Sequence, residues 1–183
     1  MKSDIFRALS LLIAAVVFFC SGCSRELTGT VFIVTKEGQT LRMPLTSVDV
    51  VTADEFKICC DGIKGKIFSV ALLQAEGKSS ERDAMTREGW DALYLKMRNA
   101  TDLEVGSAHT DVDGKFRIRI PKPGTYVVRA HGQRTIGTEE LHYRWFVPLN
   151  VTMTGEVKLE LSNQNLADDP WSVALKFPLP NEP

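Results

Sequence analysis

The sequence predicts a mainly β fold with a helical segment set into it, and three observations carry that expectation. Apolar and polar residues alternate with a period of two in several segments, without a fault over Lys115–Ile120 (KFRIRI). Turn signals rich in Gly and Pro separate these runs, as in Pro121-Lys122-Pro123-Gly124. Between residues 63 and 98 the apolar spacing lengthens to three and four, a helical period. The alternating runs read as half-buried antiparallel strands, because a parallel sheet buried on both faces shows continuous apolar stretches.

The first residues carry an address. Lys2 and Arg7 outweigh Asp4, and an uncharged apolar run follows over 8–19 (ALSLLIAAVVFF). That run is shorter than the about 20 residues a membrane span needs, and it suits a secretory signal peptide over residues 1–22. Cys20-Ser21-Gly22-Cys23 resembles a bacterial lipobox, which implies a lipoprotein acylated at Cys23, with palmitate or a similar chain as the anchor. Cys20 stands where that motif usually has an aliphatic residue, so ordinary cleavage and a retained anchor stay open as alternatives. Acyl chains tether without a span, each buried methylene contributing about 0.8 kcal/mol.

Each later element has its own reason. Residues 28–35 (TGTVFIVT) are β-branched and aromatic, and end at the turn Lys36-Glu37-Gly38-Gln39. Residues 48–52 (VDVVT) form the next strand, with Val48 and Val50 on one face and Asp49 on the other. Residues 67–75 make a short helix broken at Gly77. A second helix starts where Ser80 and Asp83 resemble a capping box. Its stripe of Met85, Trp90, Leu93 and Met97 lies opposite Arg82, Arg87, Asp91 and Arg98, which gives a helical hairpin at about 63–98 packed on the strands.

Phe116, Ile118 and Ile120 then turn to the core, leaving Lys115, Arg117 and Arg119 in water. Residues 125–131 return with Tyr126, Val128 and Ala130 inward. Residues 139–149 share a face of Leu141, Tyr143, Trp145, Val147 and Leu149, and Val157, Leu159 and Leu161 close the set. Half of the 8 prolines fall within 163–183, which predicts an extended tail pinned by Trp171, Leu175 and Phe177.

Thr110-Asp111-Val112-Asp113-Gly114-Lys115-Phe116, followed by Pro123-Gly124-Thr125-Tyr126-Val127-Val128-Arg129-Ala130, resembles the carboxypeptidase regulatory-like domain. The resemblance implies a prealbumin-like (transthyretin-like) Greek-key antiparallel β-sandwich of about seven strands over residues 23–162. Residues 28–51 are similar to the first two strands of that family, and Tyr143 to Val147 with the run Leu161 to Asn165 resembles the end of a bacterial subgroup with helices inserted after the second strand. Such domains are generally accessory modules without a shared active site, so the likeness implies fold more than function.

The residues offer little chemistry of their own. Asp111-Val112-Asp113-Gly114 lacks the later oxygen ligands of a calcium loop, with Lys122 where the twelfth-position Glu would stand, and reads as a turn. His109, His131 and His142 have no close metal-ligand spacing and are placed on solvent-facing positions. Cys59 and Cys60 are thiols with at least one buried, or a strained bond between neighbours. A net charge of -1 gives no reason to expect nucleic acid. No catalytic, cofactor or metal residues stand out. The expectation is a non-enzymatic binding or structural module tethered to a bacterial envelope membrane, facing periplasm or exterior, with a protein or carbohydrate ligand. An envelope hydrolase with a site in the sandwich loops is the alternative.

Overall fold

The structure, a computed structural model, describes residues 25–99, 104–152 and 156–176. It is a mainly β sandwich of two sheets with helices on one side. In the first sheet, β1 (Arg25–Val34) pairs antiparallel with β5 (Lys115–Ile120) along its first half and with β2 (Thr40–Arg42) at its end. β8 (Val157–Leu161) runs parallel to β1, a departure from the antiparallel expectation. The second sheet is antiparallel throughout, in the order β4 (Glu104–His109), β3 (Ser47–Thr52), β6 (Gly124–Ile136), β7 (Glu139–Val151). The described residues thus hold 8 strands where the resemblance implied about seven.

Alternation sets what lies between the sheets. Leu27, Val31, Phe116, Ile118 and Ile120 meet Val48, Val50, Tyr126, Val128 and Trp145 in one core. Lys115, Arg117 and Arg119 stay exposed, as their parity requires. Gly114, at φ 72°, closes the turn before β5, and an added Cβ there would come within 2.5 Å of the Val31 carbonyl oxygen.

The helical segment corrects the expectation of a hairpin at 63–98. It begins at Ala53 and holds three helices, α1 (Ala53–Lys64), α2 (Ile67–Ala75) and α3 (Ser79–Asn99). Thr52 starts α1: its hydroxyl accepts from the Glu55 backbone N–H at 3.4 Å and lies 2.5 Å from the Glu55 carboxylate. Phe56, Cys59, Cys60 and Ile63, at steps of three and four, form the buried stripe of α1.

The tail also corrects the expectation of an extended segment, since it holds a 3-10 turn and a helix. Ser162 caps a 3-10 turn over Asn163–Asn165, and Trp145 Nε1 donates to the Ser162 carbonyl at 2.9 Å. The chain then crosses to β7, where the Ala167 N–H donates to the Arg144 carbonyl at 2.7 Å, and enters α4 (Pro170–Lys176). Proline at the first helical position loses no bond, since that N–H has no partner in a helix. Trp171, Val173 and Ala174 are buried; Leu175 is exposed, and Phe177 lies outside the described residues. These side chains join Val51, Val127, Phe146, Phe56, Trp90 and Leu93 in a second core, between the outer face of the β3–β6–β7 sheet and the helices.

Candidate functional site

The two sheets expose different outer faces. No helix among the described residues covers the outer face of the β1–β5–β8 sheet, where a shallow groove of about 590 Å³ lies. Thr28 and Thr30 of β1, Lys115 and Arg117 of β5, and Lys158 and Glu160 of β8 project along it. His109 and Asp111 stand at one side. Gly29 shares the inward face of Leu27 and Val31, beneath the groove. A Cβ there would lie 2.4 Å from the Phe116 ring and 2.3 Å from the Leu159 carbonyl oxygen, so any side chain would displace the core.

Charges in and around this groove balance. Arg117 pairs with Glu26 at 3.4 Å and Lys158 with Glu156 at 3.2 Å, while Lys115 faces Asp113 at 3.6 Å. Thr28 Oγ1 donates to Glu156 at 3.3 Å. The face therefore presents donors and acceptors in alternation, without a field of one sign. The Asp111 carboxylate is taken up by the turn itself, accepting from the backbone N–H of Asp113 at 2.8 Å and of Lys115 at 2.9 Å.

The outer face of the second sheet is polar at one end and apolar at the other. Asp49 and Arg129, cross-strand neighbours on β3 and β6, form a largely buried ion pair with Arg129 Nε 2.9 Å from the carboxylate. Tyr94 of α3 lies over the Arg129 guanidinium at 5.5 Å and against the His131 ring at 6.0 Å. Arg144 of β7 sits over Trp90 at 5.1 Å. Burial pushes the Tyr94 hydroxyl up to about 12, with Arg144 and Arg129 beside it acting the other way.

His109 and His142 are exposed, as the sequence placed them, and His131 alone is half-buried. His109, Ser47 and His131 form one row across β4, β3 and β6, and His142 of β7 bonds to His131. His131 is half-buried under Tyr94, and burial, followed by Arg144, His142 and Arg129, holds it below the ordinary histidine value. Strand alternation placed these side chains on the outer face; what it missed is that α3 covers part of it. Cys59 and Cys60 are thiols, both buried on α1. Burial first, and then Cys59, pushes the Cys60 thiol up to about 12. Among the described residues no cluster of three or more His, Cys, Asp or Glu is placed to hold a metal. Cys23 and the signal segment 1–22 lie outside the described residues.

No protein-family model matches the chain, and no curated protein matches it. Among solved structures it is similar to a candidate carbohydrate-binding protein from Pseudomonas aeruginosa, at 11% identity and a TM-score of 0.43 over 76% of this chain and 88% of that one. A likeness that distant carries no argument about function.

Proposed function

We propose that the protein is a non-catalytic binding module, tethered by lipid at Cys23 to a bacterial envelope membrane, that takes a neutral, hydroxyl-rich ligand of carbohydrate type on the outer face of the β1–β5–β8 sheet. The observation that carries the reading is the groove itself. Thr28, Thr30, Arg117, Lys158 and Glu160 offer donors and acceptors on a rigid strand surface, with opposing charges nearly cancelled. Sugar hydroxyls both donate and accept, so they match such a face; a strongly charged ligand would meet as much repulsion as attraction.

The tether fits this use. Two residue steps separate Cys23 from Arg25, the first residue of β1, a reach of at most about 7 Å. At roughly 3.3 Å per residue, Thr28 and Thr30 then stand about 10–17 Å from Arg25 along the strand. The test is glycan-array screening of the protein beginning at Ser24, followed by titration of any hit against Arg117→Ala and Lys158→Ala. Both cores are built within residues 27–174, so that fragment holds them whole. Loss of binding in both variants supports the reading. Binding that survives both, or turnover of the glycan, overturns it. For the anchor, mass spectrometry of the membrane-fraction protein is expected to show an acylated N-terminal Cys23; intact Met1 or unmodified Cys23 contradicts it.

A further inference from the structure

His131 and His142 meet in an unusual way. Their facing nitrogens, Nε2 and Nδ1, are 3.3 Å apart, the ring planes differ by only 12°, and the ring centres are 5.5 Å apart. Those three values together require the two nitrogens to lie nearly on the line joining the ring centres. The rings therefore meet end to end, with a single hydrogen between them, and do not stack face to face.

Proton counting follows from that geometry. In the neutral pair one facing nitrogen donates and the other accepts. A first added proton goes to an outer nitrogen and leaves the shared hydrogen in place, so the bond persists as imidazolium to imidazole. A second added proton puts hydrogen on both facing nitrogens, and the bond is lost because neither can accept.

We propose that this pair is an acid-sensitive clasp: double protonation breaks the His131–His142 bond and loosens the seat of α3 on the outer face of the second sheet. The coupling runs through Tyr94, whose ring rests on both His131 and Arg129 and on Phe146 at 6.0 Å. The surroundings disfavour a second positive charge. Among the described residues, Arg129 and Arg144 flank His131 from β6 and β7, and Tyr94 faces it from α3. Asp49 on β3 is committed to Arg129, and His109 lies one strand beyond Ser47 on β4. Glu140 on β7 opposes the cations around His131 and lies 3.9 Å from the outer nitrogen of His142. Desolvation of His131 acts with the arginines, so the second step falls below the ordinary histidine range near pH 6.5.

The direct experiment follows the imidazole nitrogens of the unmutated protein beginning at Ser24 by nitrogen NMR between about pH 7 and pH 4. The indole N–H of Trp90, assigned apart from those of Trp145 and Trp171, is followed in the same spectra. The expected result is two coupled steps for His131 and His142, with the Trp90 signal changing reversibly at the lower step only. His142→Gln should abolish that lower step, while His109→Gln should leave it in place. Independent titration of the two rings at the ordinary value, or a Trp90 signal indifferent to the lower step, overturns the clasp. Because the decisive reading comes from the unmutated protein, a variant that fails to fold does not remove it.

Discussion

The outer faces of the two sheets carry the same kinds of residue to different ends. On β5, outward positions hold Lys115, Arg117 and Arg119, all exposed, and the strand reads as a plain alternation. On β6, outward positions hold Val127, Arg129 and His131, of which Val127 is buried and the other two half-buried. Each face has an acid–arginine pair: Glu26–Arg117 lies in water with side chains 50% and 72% exposed, and Asp49–Arg129 lies under α3 at 10% and 18%. The difference teaches that parity fixes which way a side chain points, while a covering layer decides what environment it meets. One face is thereby left open, and the other becomes a second core.

The widest contrast is all or none. Since burial holds the Cys60 thiol near 12, native protein should take up no iodoacetamide at Cys60 near pH 8, and should label once urea unfolds it. Rapid labelling of Cys60 in the native protein would mean that α1 does not seal the second sheet.

Next come the core aromatics. Phe116→Ala, between the sheets, and Phe146→Ala, beneath the helices, should each cost about 3–5 kcal/mol by urea unfolding. Phe146 touches Phe56, Trp90 and Tyr94 at 5.6–6.0 Å between ring centres, so its face should behave as a true core. Lys115→Ala on the open face should change stability by less than about 0.5 kcal/mol. A Phe146→Ala loss as small as that of Lys115→Ala would break the comparison.

Thr52→Ala removes the hydroxyl that caps α1 and should cost about 1 kcal/mol in the same assay. The pH dependence is smaller. With His131 below its ordinary value, the unfolded chain binds more protons than the folded one as pH falls through about 6.5. Stability should therefore decline from there down through the folded value, and His131→Gln should flatten that part of the profile. A profile unchanged by the substitution would remove His131 from the account.

Much of this was legible in the residues, and the misses have physical causes. Phe116, Ile118, Ile120, Tyr126, Val128 and Ala130 occupy the inter-sheet core that strict alternation assigned them. Helix α1 was overlooked although Thr52 and Glu55 are spaced as a capping box and Phe56, Cys59, Cys60 and Ile63 recur at helical steps. The adjacent cysteines were read as thiols with at least one buried, and both pack on α1 as small apolar residues. Pro170 was read as a strand breaker, yet it opens α4. The parallel pairing of β8 with β1 leaves no local trace, because the two strands are joined only through the rest of the fold. For the groove, sequence parity placed Lys115 and Arg117 in water; that Lys158 and Glu160 lie beside them depends on that same long-range pairing.

The central claim, an open face opposite a covered one, is tested most directly by comparing the two acid–arginine pairs. Double-mutant cycles of Asp49→Ala with Arg129→Ala, and of Glu26→Ala with Arg117→Ala, measure each coupling by urea unfolding at low and high salt. The covered pair should couple by more than about 1.5 kcal/mol and resist salt, since little solvent screens it. The open pair should couple by about 0.2–1 kcal/mol and fade as salt rises. Equal couplings with equal salt dependence would contradict the account, for the two faces would then be equally wet.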